Sequence, residues 1–212
     1  MARFVSAPSA YRGGVLLLAV AMWAWCFGDA RLEEFGWQFR HLEVWALSAS
    51  ALSAAMTLRL SMGWSRSSHE GFVAATAALN AVVIAVFLGP MGAGGAGGPG
   101  WRTAYLHLVG PSLQIADALL LLGAFARLGG AVAWVATLAA AYVAWVELAV
   151  RPLNASAEGV GGLPYAALNA MDVPSRLAVY GLGTLGALAA LALLRGLQRA
   201  LRGVGSGPVA AG

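Results

Sequence analysis

Six apolar stretches follow one another along the chain, and polar, glycine-rich or arginine-bearing segments separate them. A bilayer core requires ~20 apolar residues in a helix, and each stretch has or nearly has that length. The pattern predicts an all-α fold, a polytopic integral membrane protein with a bundle of six transmembrane helices. One domain covers residues 1–202 and a flexible tail covers 203–212. The predicted spans are about 13–28, 41–62, 71–90, 103–126, 130–150 and 176–196.

The composition supports a chain embedded in a membrane. Hydrophobic residues make up 60% of the 212 residues, charged residues make up 10%, and the mean hydropathy is +0.75. Such a chain has too little polar surface to cover a soluble globule. The arginines lie at the ends of apolar runs and form no basic stripe with interleaved aromatic residues, so nucleic acid is excluded as a partner.

The distribution of arginines predicts the orientation. With the N-terminus inside, eight arginines fall on inner segments and five on outer ones, which favours both termini in the cytoplasm of a bacterial cell. Arg3 and Arg12 precede the first apolar run, but no small-x-small cleavage site follows it. We therefore interpret this run as a transmembrane helix and not as a cleaved signal peptide.

Two other features have structural interpretations. Cys26 is the only cysteine, so the chain forms no internal disulfide and no cysteine metal cluster. The stretch "GAGGAGGPG" lacks the preceding strand and the following Lys-Ser/Thr of a phosphate-binding loop, and we interpret it as an outer loop.

Ionisable residues of the predicted spans converge on the outer leaflet. Glu43 and His107 lie near the outer ends of the second and fourth spans, and Glu147 and Arg151 lie near the outer end of the fifth. Asp172 precedes the last span. Charged groups in the apolar zone cost ~2.5 to 3.5 kcal/mol on insertion scales, so their presence indicates a candidate site.

Each of these residues also has a structural interpretation. Glu147 and Arg151 are spaced i, i+4 and would form an ion pair at a helix end. For Glu43 and His107, depth alone leaves open whether they form a hydrogen bond between helices or a catalytic dyad. His41 lies ~200° from Glu43 around a helix, so the two are not expected to face one site.

Asp117 follows His107 by ten residues, which corresponds to a rise of ~15 Å and an offset of ~80°. The two residues therefore do not share a metal ion unless Pro111 bends the helix strongly. We expect Asp117 to bond another helix through Asn80. Zinc requires three or four ligands, and the sequence predicts no metal site and no cofactor.

Three segments, "FGWQFRHLEVWAL", "YLHLVGPSLQIADALL" and "GGLPYAALNAMDVPSRLAVYG", together resemble the six-span ADTRP and androgen-induced protein family and its bacterial relatives. The resemblance covers most of the chain in order and spacing. It implies an intramembrane hydrolase that cleaves lipid esters, including fatty acid esters of hydroxy fatty acids, with a threonine nucleophile on the second helix and a histidine on the fourth.

Residue by residue, the resemblance places the family histidine on His107 and the threonine position on Glu43. A carboxylate cannot form an acyl-threonine intermediate, so Glu43 would activate water or orient His107. Serine nucleophiles at Ser50 or Ser112 are disfavoured, because serines in apolar helices commonly bond their own backbone. The expected supporting residues are Tyr105, Pro111, Asp117, Glu147, Arg151, Tyr165 and Asp172.

The sequence favours two functions. In the first, a lipid-ester hydrolase uses His107 and Glu43 as an acid/base dyad with water as the nucleophile. In the second, a lipid-binding or structural membrane protein uses the same two residues to join helices. A proton-coupled carrier fits less well, because the six spans show no inverted repeat of three plus three. The expected partner is a membrane lipid or fatty acid ester, and the oligomeric state is not indicated.

Overall fold

The computed structural model describes residues 6–28, 34–89, 100–156 and 161–204, and these residues form helices and no strands. Six long helices are present: α1 Ala7–Gly28, α2 Leu42–Ser61, α3 Glu70–Leu88, α4 Trp101–Leu122, α5 Gly129–Asn154 and α6 Val173–Val204. Short helical turns occur at Trp37–Arg40, Ala124–Ala126 and Ala166–Asn169.

Five of the long helices, α1, α3, α4, α5 and α6, are long and apolar enough to cross a membrane. The predicted all-helical class is therefore confirmed for the described residues, and five of the helices could span a membrane. The second predicted span corresponds to α2, which is not one of the five. This helix contains Glu43, Arg59 and several hydroxyl side chains, which lower its hydropathy.

Three helices, α1, α5 and α6, are longer than predicted. α1 begins at Ala7 and not near residue 13, so Arg12 lies within the helix and is buried. α6 continues to Val204, and its 32 residues correspond to ~48 Å, which exceeds the ~30 Å core of a bilayer. The predicted tail therefore begins later than residue 203, and residues 205–212 lie outside the described part of the chain.

Helix α3 lies at the centre of the bundle and contacts α2, α4, α5 and α6. Its fully buried residues include Val73 and the alanines Ala74, Ala75, Ala77 and Ala78. Small side chains allow helices to approach closely in a membrane, where lipid removes the hydrophobic force between them. The approach is tight where α3 meets α5, because a Cβ on Gly71 would lie 3.0 Å from the carbonyl carbon of Gly130.

Successive helices run in opposite directions, so the bundle has two ends. We call the end where α2, α4 and α6 begin the Glu43 end, and the opposite end the Arg12 end. Asn154 bonds the backbone of Phe35 at the Glu43 end. The Ser9 hydroxyl donates to the Ser61 hydroxyl at 3.1 Å at the Arg12 end.

Three turns of π-helix interrupt the long helices. Tyr105–Val109 and Val146–Val150 each lie directly before a helical segment that carries a proline in its first turn, Pro111 and Pro152 respectively. Proline lacks the N–H that an i→i−4 bond requires, which accounts for the wider turn before it. The third, Asp117–Leu122, ends α4. His107, Asp117 and Glu147 each lie in one of these turns.

Candidate functional site

Glu43 is held at the start of α2 by a tyrosine from the segment between α5 and α6. The Tyr165 hydroxyl donates to Glu43 Oε2 at 2.8 Å and accepts the Leu42 N–H at 2.9 Å. Burial raises the pKa of Tyr165 well above its usual value, so the phenol keeps its proton at neutral pH. The carboxylate therefore joins α2 to the segment that precedes α6.

His41 also lies beside Glu43, with Nδ1 3.6 Å from Oε1. Its ring meets the Tyr165 ring edge-on, with centroids 6.0 Å apart. The prediction that His41 and Glu43 face different directions is wrong, because it assumed that both residues are helical. α2 begins at Leu42, and His41 has an extended backbone that turns its ring toward the carboxylate. Burial lowers the pKa of His41 despite the adjacent carboxylate, so the imidazole is neutral at pH 7.

His107 has other partners. Its Nδ1 lies 3.0 Å from the Thr103 carbonyl oxygen, and its ring stacks on Phe87 with centroids 4.7 Å apart. No hydrogen bond or ion pair joins His107 to Glu43, both of which are described, so the contact predicted between them is not formed. Depth indicates which residues share an end of the bundle, but not how each helix is rotated about its axis.

The tautomer of His107 follows from its backbone contact. The Thr103 carbonyl only accepts, so the proton lies on Nδ1 and donates to it. In the neutral imidazole, the Nε2 atom then carries a lone pair and no proton. His107 is partly exposed, and this nitrogen is available to accept a proton from another molecule.

Glu147 forms an ion pair through both carboxylate oxygens at the Glu43 end, and its main partner is Arg176. The Arg176 Nε and Nη2 atoms donate to the two carboxylate oxygens at 2.8 and 3.1 Å, and the Tyr180 hydroxyl donates at 2.9 Å. The predicted pair with Arg151 is present but longer, at 3.9 Å. The sequence analysis missed Arg176, which is 2% exposed and ties α6 to α5.

Asp172 does not belong to the Glu147 contacts. Its Oδ1 atom accepts the N–H of Ser175 at 2.9 Å, and its carbonyl accepts the N–H of Arg176 at 3.0 Å. These are the contacts of a residue that caps the start of a helix, here α6. Hydrogen bonds from Ser175 lower the pKa of the Asp172 carboxyl.

Asp117 pairs with Arg12 at the opposite end of the bundle. The Arg12 Nε atom lies 2.8 Å from Asp117 Oδ1, and its Nη1 donates to the Thr57 carbonyl oxygen at 3.3 Å. The expected partner, Asn80, instead donates to the Ser50 hydroxyl at 2.8 Å. The prediction is wrong because it placed Arg12 outside the first helix, where it could not reach another helix at this depth.

Neutral polar side chains continue this buried layer toward the middle of the bundle. The Gln114 amide donates to the Ser53 hydroxyl at 2.6 Å, while its Oε1 atom has no partner in the structure. A cavity of about 10 Å³, roughly the space of one water molecule, is lined in part by Ser50, Asn80 and Tyr105. The sequence pattern does not predict this layer, because isolated neutral residues in an apolar run give no periodic signal. Pro111 also lines the cavity, on α4.

A larger polar cavity of about 320 Å³ opens at the Glu43 end. Its lining includes Glu34, Arg40, Asn154 and Gly162. Arg40 pairs with Glu34 through Nη2, but its buried Nε atom has no hydrogen-bond partner in the described structure. Arg40 therefore brings to the cavity a guanidinium whose positive charge is already balanced by Glu34.

Among the described residues, no three His, Cys, Asp or Glu side chains come together to hold a metal ion. No protein-family model, curated protein or solved structure matches the chain. Its function is therefore argued from the contacts of its own residues.

Proposed function

We propose that this chain is a six-span membrane protein that binds lipid without cleaving it. The helix α2 is counted as the additional span because of its packing. Its 20 residues correspond to ~30 Å, and it packs along both α1 and α3. Its charged residues, Glu43 and Arg59, lie near its two ends. By the arginine excess, the Arg12 end is the cytoplasmic one.

One observation carries the non-catalytic assignment: Glu43 binds Tyr165 and not His107. A general acid/base pair requires the two groups within hydrogen-bond reach of each other or of one shared water. Here the carboxylate accepts a phenol, and the imidazole is tied to the backbone of its own helix and to Phe87. The polar residues of the Glu43 end then serve to join helices and loop segments.

The lipid site that we propose is the cavity beside Arg40. Its volume is at the lower end of the range for small-molecule sites, and it lies where the helices end, near the depth of lipid headgroups. Glu34 balances the charge of Arg40, so a neutral or zwitterionic headgroup suits the site better than an anionic one. The Arg40 guanidinium, which lines the cavity, would donate to an oxygen of that headgroup.

Two measurements on detergent-purified protein test this proposal. In the first, native mass spectrometry counts retained phosphatidylcholine. We expect Arg40→Gln to lose it and Arg151→Gln, at the same end, to keep it. In the second, a panel of long-chain esters is incubated with the wild type and with His107→Ala, and we expect no turnover by either. Ester cleavage that depends on His107 would refute the non-catalytic assignment, and equal retention in both arginine variants would refute the lipid site.

The hydrolase is the second candidate, and the observation that favours it is the free Nε2 atom of His107. In this mechanism Nε2 takes a proton from water, the water oxygen attacks the ester carbonyl, and the proton then passes to the departing alkoxide. Glu43→Thr separates the two candidates further. Turnover gained on this substitution would indicate a scaffold that carries the hydrolase machinery except for its nucleophile.

A further inference from the structure

Four arginines lie around the turn between α4 and α5 at the Arg12 end. Arg127 lies in the turn, and Arg195, Arg199 and Arg202 lie on the last turns of α6. None of the four pairs with a described carboxylate. Two described carboxylates lie at this end: Asp117 is paired with Arg12, and Glu70 accepts the Ser68 hydroxyl at 3.2 Å. The positive charge of the cluster is therefore not balanced by these groups.

The end of α6 is docked against this turn. Gln198 is 4% exposed, and its Oε1 atom accepts the N–H of Phe125 at 3.1 Å. The Arg202 guanidinium lies against Gly123, which has a left-handed backbone with φ of 69°. Because residues 195, 199 and 202 are spaced i, i+4 and i+7, their side chains share the α6 face that also carries Gln198.

The opposite side of this part of α6 is apolar and open. Leu193, Leu197 and Leu201 are 74%, 47% and 46% exposed. Leucines therefore lie on one side of this part of α6, and Arg195, Arg199 and Arg202 lie on the side that packs against the α4–α5 turn.

We propose that this cluster of Arg127, Arg195, Arg199 and Arg202 binds the phosphate of an anionic phospholipid. Phosphate accepts two parallel N–H bonds from one guanidinium and also supplies the missing negative charge. Anionic lipids are abundant at cytoplasmic membrane surfaces, and the orientation proposed above places the Arg12 end there. This site is separate from the cavity beside Arg40 and does not depend on the function proposed for it.

The test compares two double variants that remove the same charge from the same end of the bundle. The first variant, Arg195→Gln/Arg199→Gln, alters the arginine cluster. Arg59→Gln/Arg66→Gln alters two exposed arginines near the turn between α2 and α3, which also lack a described carboxylate partner. Each protein is placed in phosphatidylcholine nanodiscs with increasing phosphatidylglycerol, and bound phosphatidylglycerol is measured by native mass spectrometry after mild extraction.

We expect the cluster variant to lose roughly thirtyfold in apparent affinity for phosphatidylglycerol, because it loses direct charge-assisted hydrogen bonds to the phosphate. The control variant should change much less. Equal losses in the two variants would overturn the proposal, because they would indicate diffuse attraction to the whole surface. Inorganic phosphate that displaces the lipid at millimolar concentration would also overturn it, since the site would then bind the free anion. Thermal unfolding in pure phosphatidylcholine verifies that both variants are folded.

Discussion

Arg12 of α1 and Asp117 of α4, which are 105 residues apart in the sequence, form an ion pair at 2.8 Å inside the bundle. Their side chains are 6% and 3% exposed. A buried charge without its partner destabilises a protein by ~3 to 5 kcal/mol, whereas replacement of both charges by apolar groups is often neutral. We expect Asp117→Leu to lower the thermal unfolding temperature strongly and Arg12→Met/Asp117→Leu to restore it. A double variant as unstable as the single one would contradict this account.

Arg176 and Arg151 share one carboxylate but differ in burial, which allows a matched comparison. Arg176 binds both oxygens of Glu147 and is 2% exposed, while Arg151 lies 3.9 Å from one oxygen and its side chain is 35% exposed. We expect Arg176→Gln to destabilise the fold by ~3 to 5 kcal/mol and Arg151→Gln by less than ~1 kcal/mol. Chemical or thermal unfolding in detergent measures both. Similar losses would mean that Glu147 does not distinguish the two arginines.

The contact between α3 and α5 predicts a second asymmetry. A Cβ on Gly71 would lie 3.0 Å from the backbone of α5, whereas a Cβ on Gly130 would lie 3.7 Å from the nearest atom of Gly71. We therefore expect Gly71→Ala to separate the helices and to lower the unfolding temperature. Gly130→Ala should be tolerated, because its methyl group has an ordinary van der Waals distance available. Equal effects of the two substitutions would show that the backbones do not touch at this point.

Protonation of His41 should make the protein less stable in acid. Burial lowers the pKa of His41 below 6.5, its value in an unfolded chain, although Glu43 and Glu34 raise it and Arg40 and Arg102 lower it further. The unfolded chain therefore takes up a proton first as the pH falls. The contribution of His41 to stability is complete above pH ~6.5 and is lost below it.

Unfolding temperatures measured between pH 8 and pH 5 test the His41 prediction. The decrease at acidic pH should be smaller in His41→Gln than in the wild type. An unchanged decrease would show that another group is responsible.

Tyr165 gives the complementary prediction at alkaline pH. Burial and the adjacent Glu43 raise its pKa above 10, so its contribution to stability is complete below pH ~10 and decreases above it. We expect Tyr165→Phe to destabilise the fold by ~1 to 3 kcal/mol at pH 7, because Glu43 loses its donor. The decrease in stability at alkaline pH should also be smaller in Tyr165→Phe than in the wild type. Two results together would contradict the observed hydrogen bond. The stability of the wild type would not change up to the highest pH tested, and Tyr165→Phe would not change stability at pH 7.

Much of the fold could be predicted from local patterns. Lengths of apolar runs indicated the positions of the long helices, since each helix forms its backbone hydrogen bonds within its own segment. The boundaries were less predictable. Arg12 looked like a flanking charge because the residue that neutralises it, Asp117, lies on another helix.

The candidate site was predicted only as a set of residues at one end of the bundle. Alternation of helix direction was enough to bring Glu43, His107, Glu147 and Arg151 to the same end. It could not assign partners, because a partner depends on the rotation of each helix and on where the connecting segments return. Thus Tyr165 reaches Glu43 from the segment before α6, and Arg176 displaces Arg151 as the main partner of Glu147.

The sequence by itself determined that this chain is helical, that its helices suit a membrane, and that its ionisable residues collect near the helix ends. These properties follow from composition and from the distance along one helix. Only the tertiary structure decided that Glu43 binds Tyr165, that Asp117 neutralises Arg12, and that Arg202 at the end of α6 lies against Gly123 before the α4–α5 turn. Such contacts join residues far apart in the chain, and their formation depends on helix rotation and packing, which no local pattern encodes.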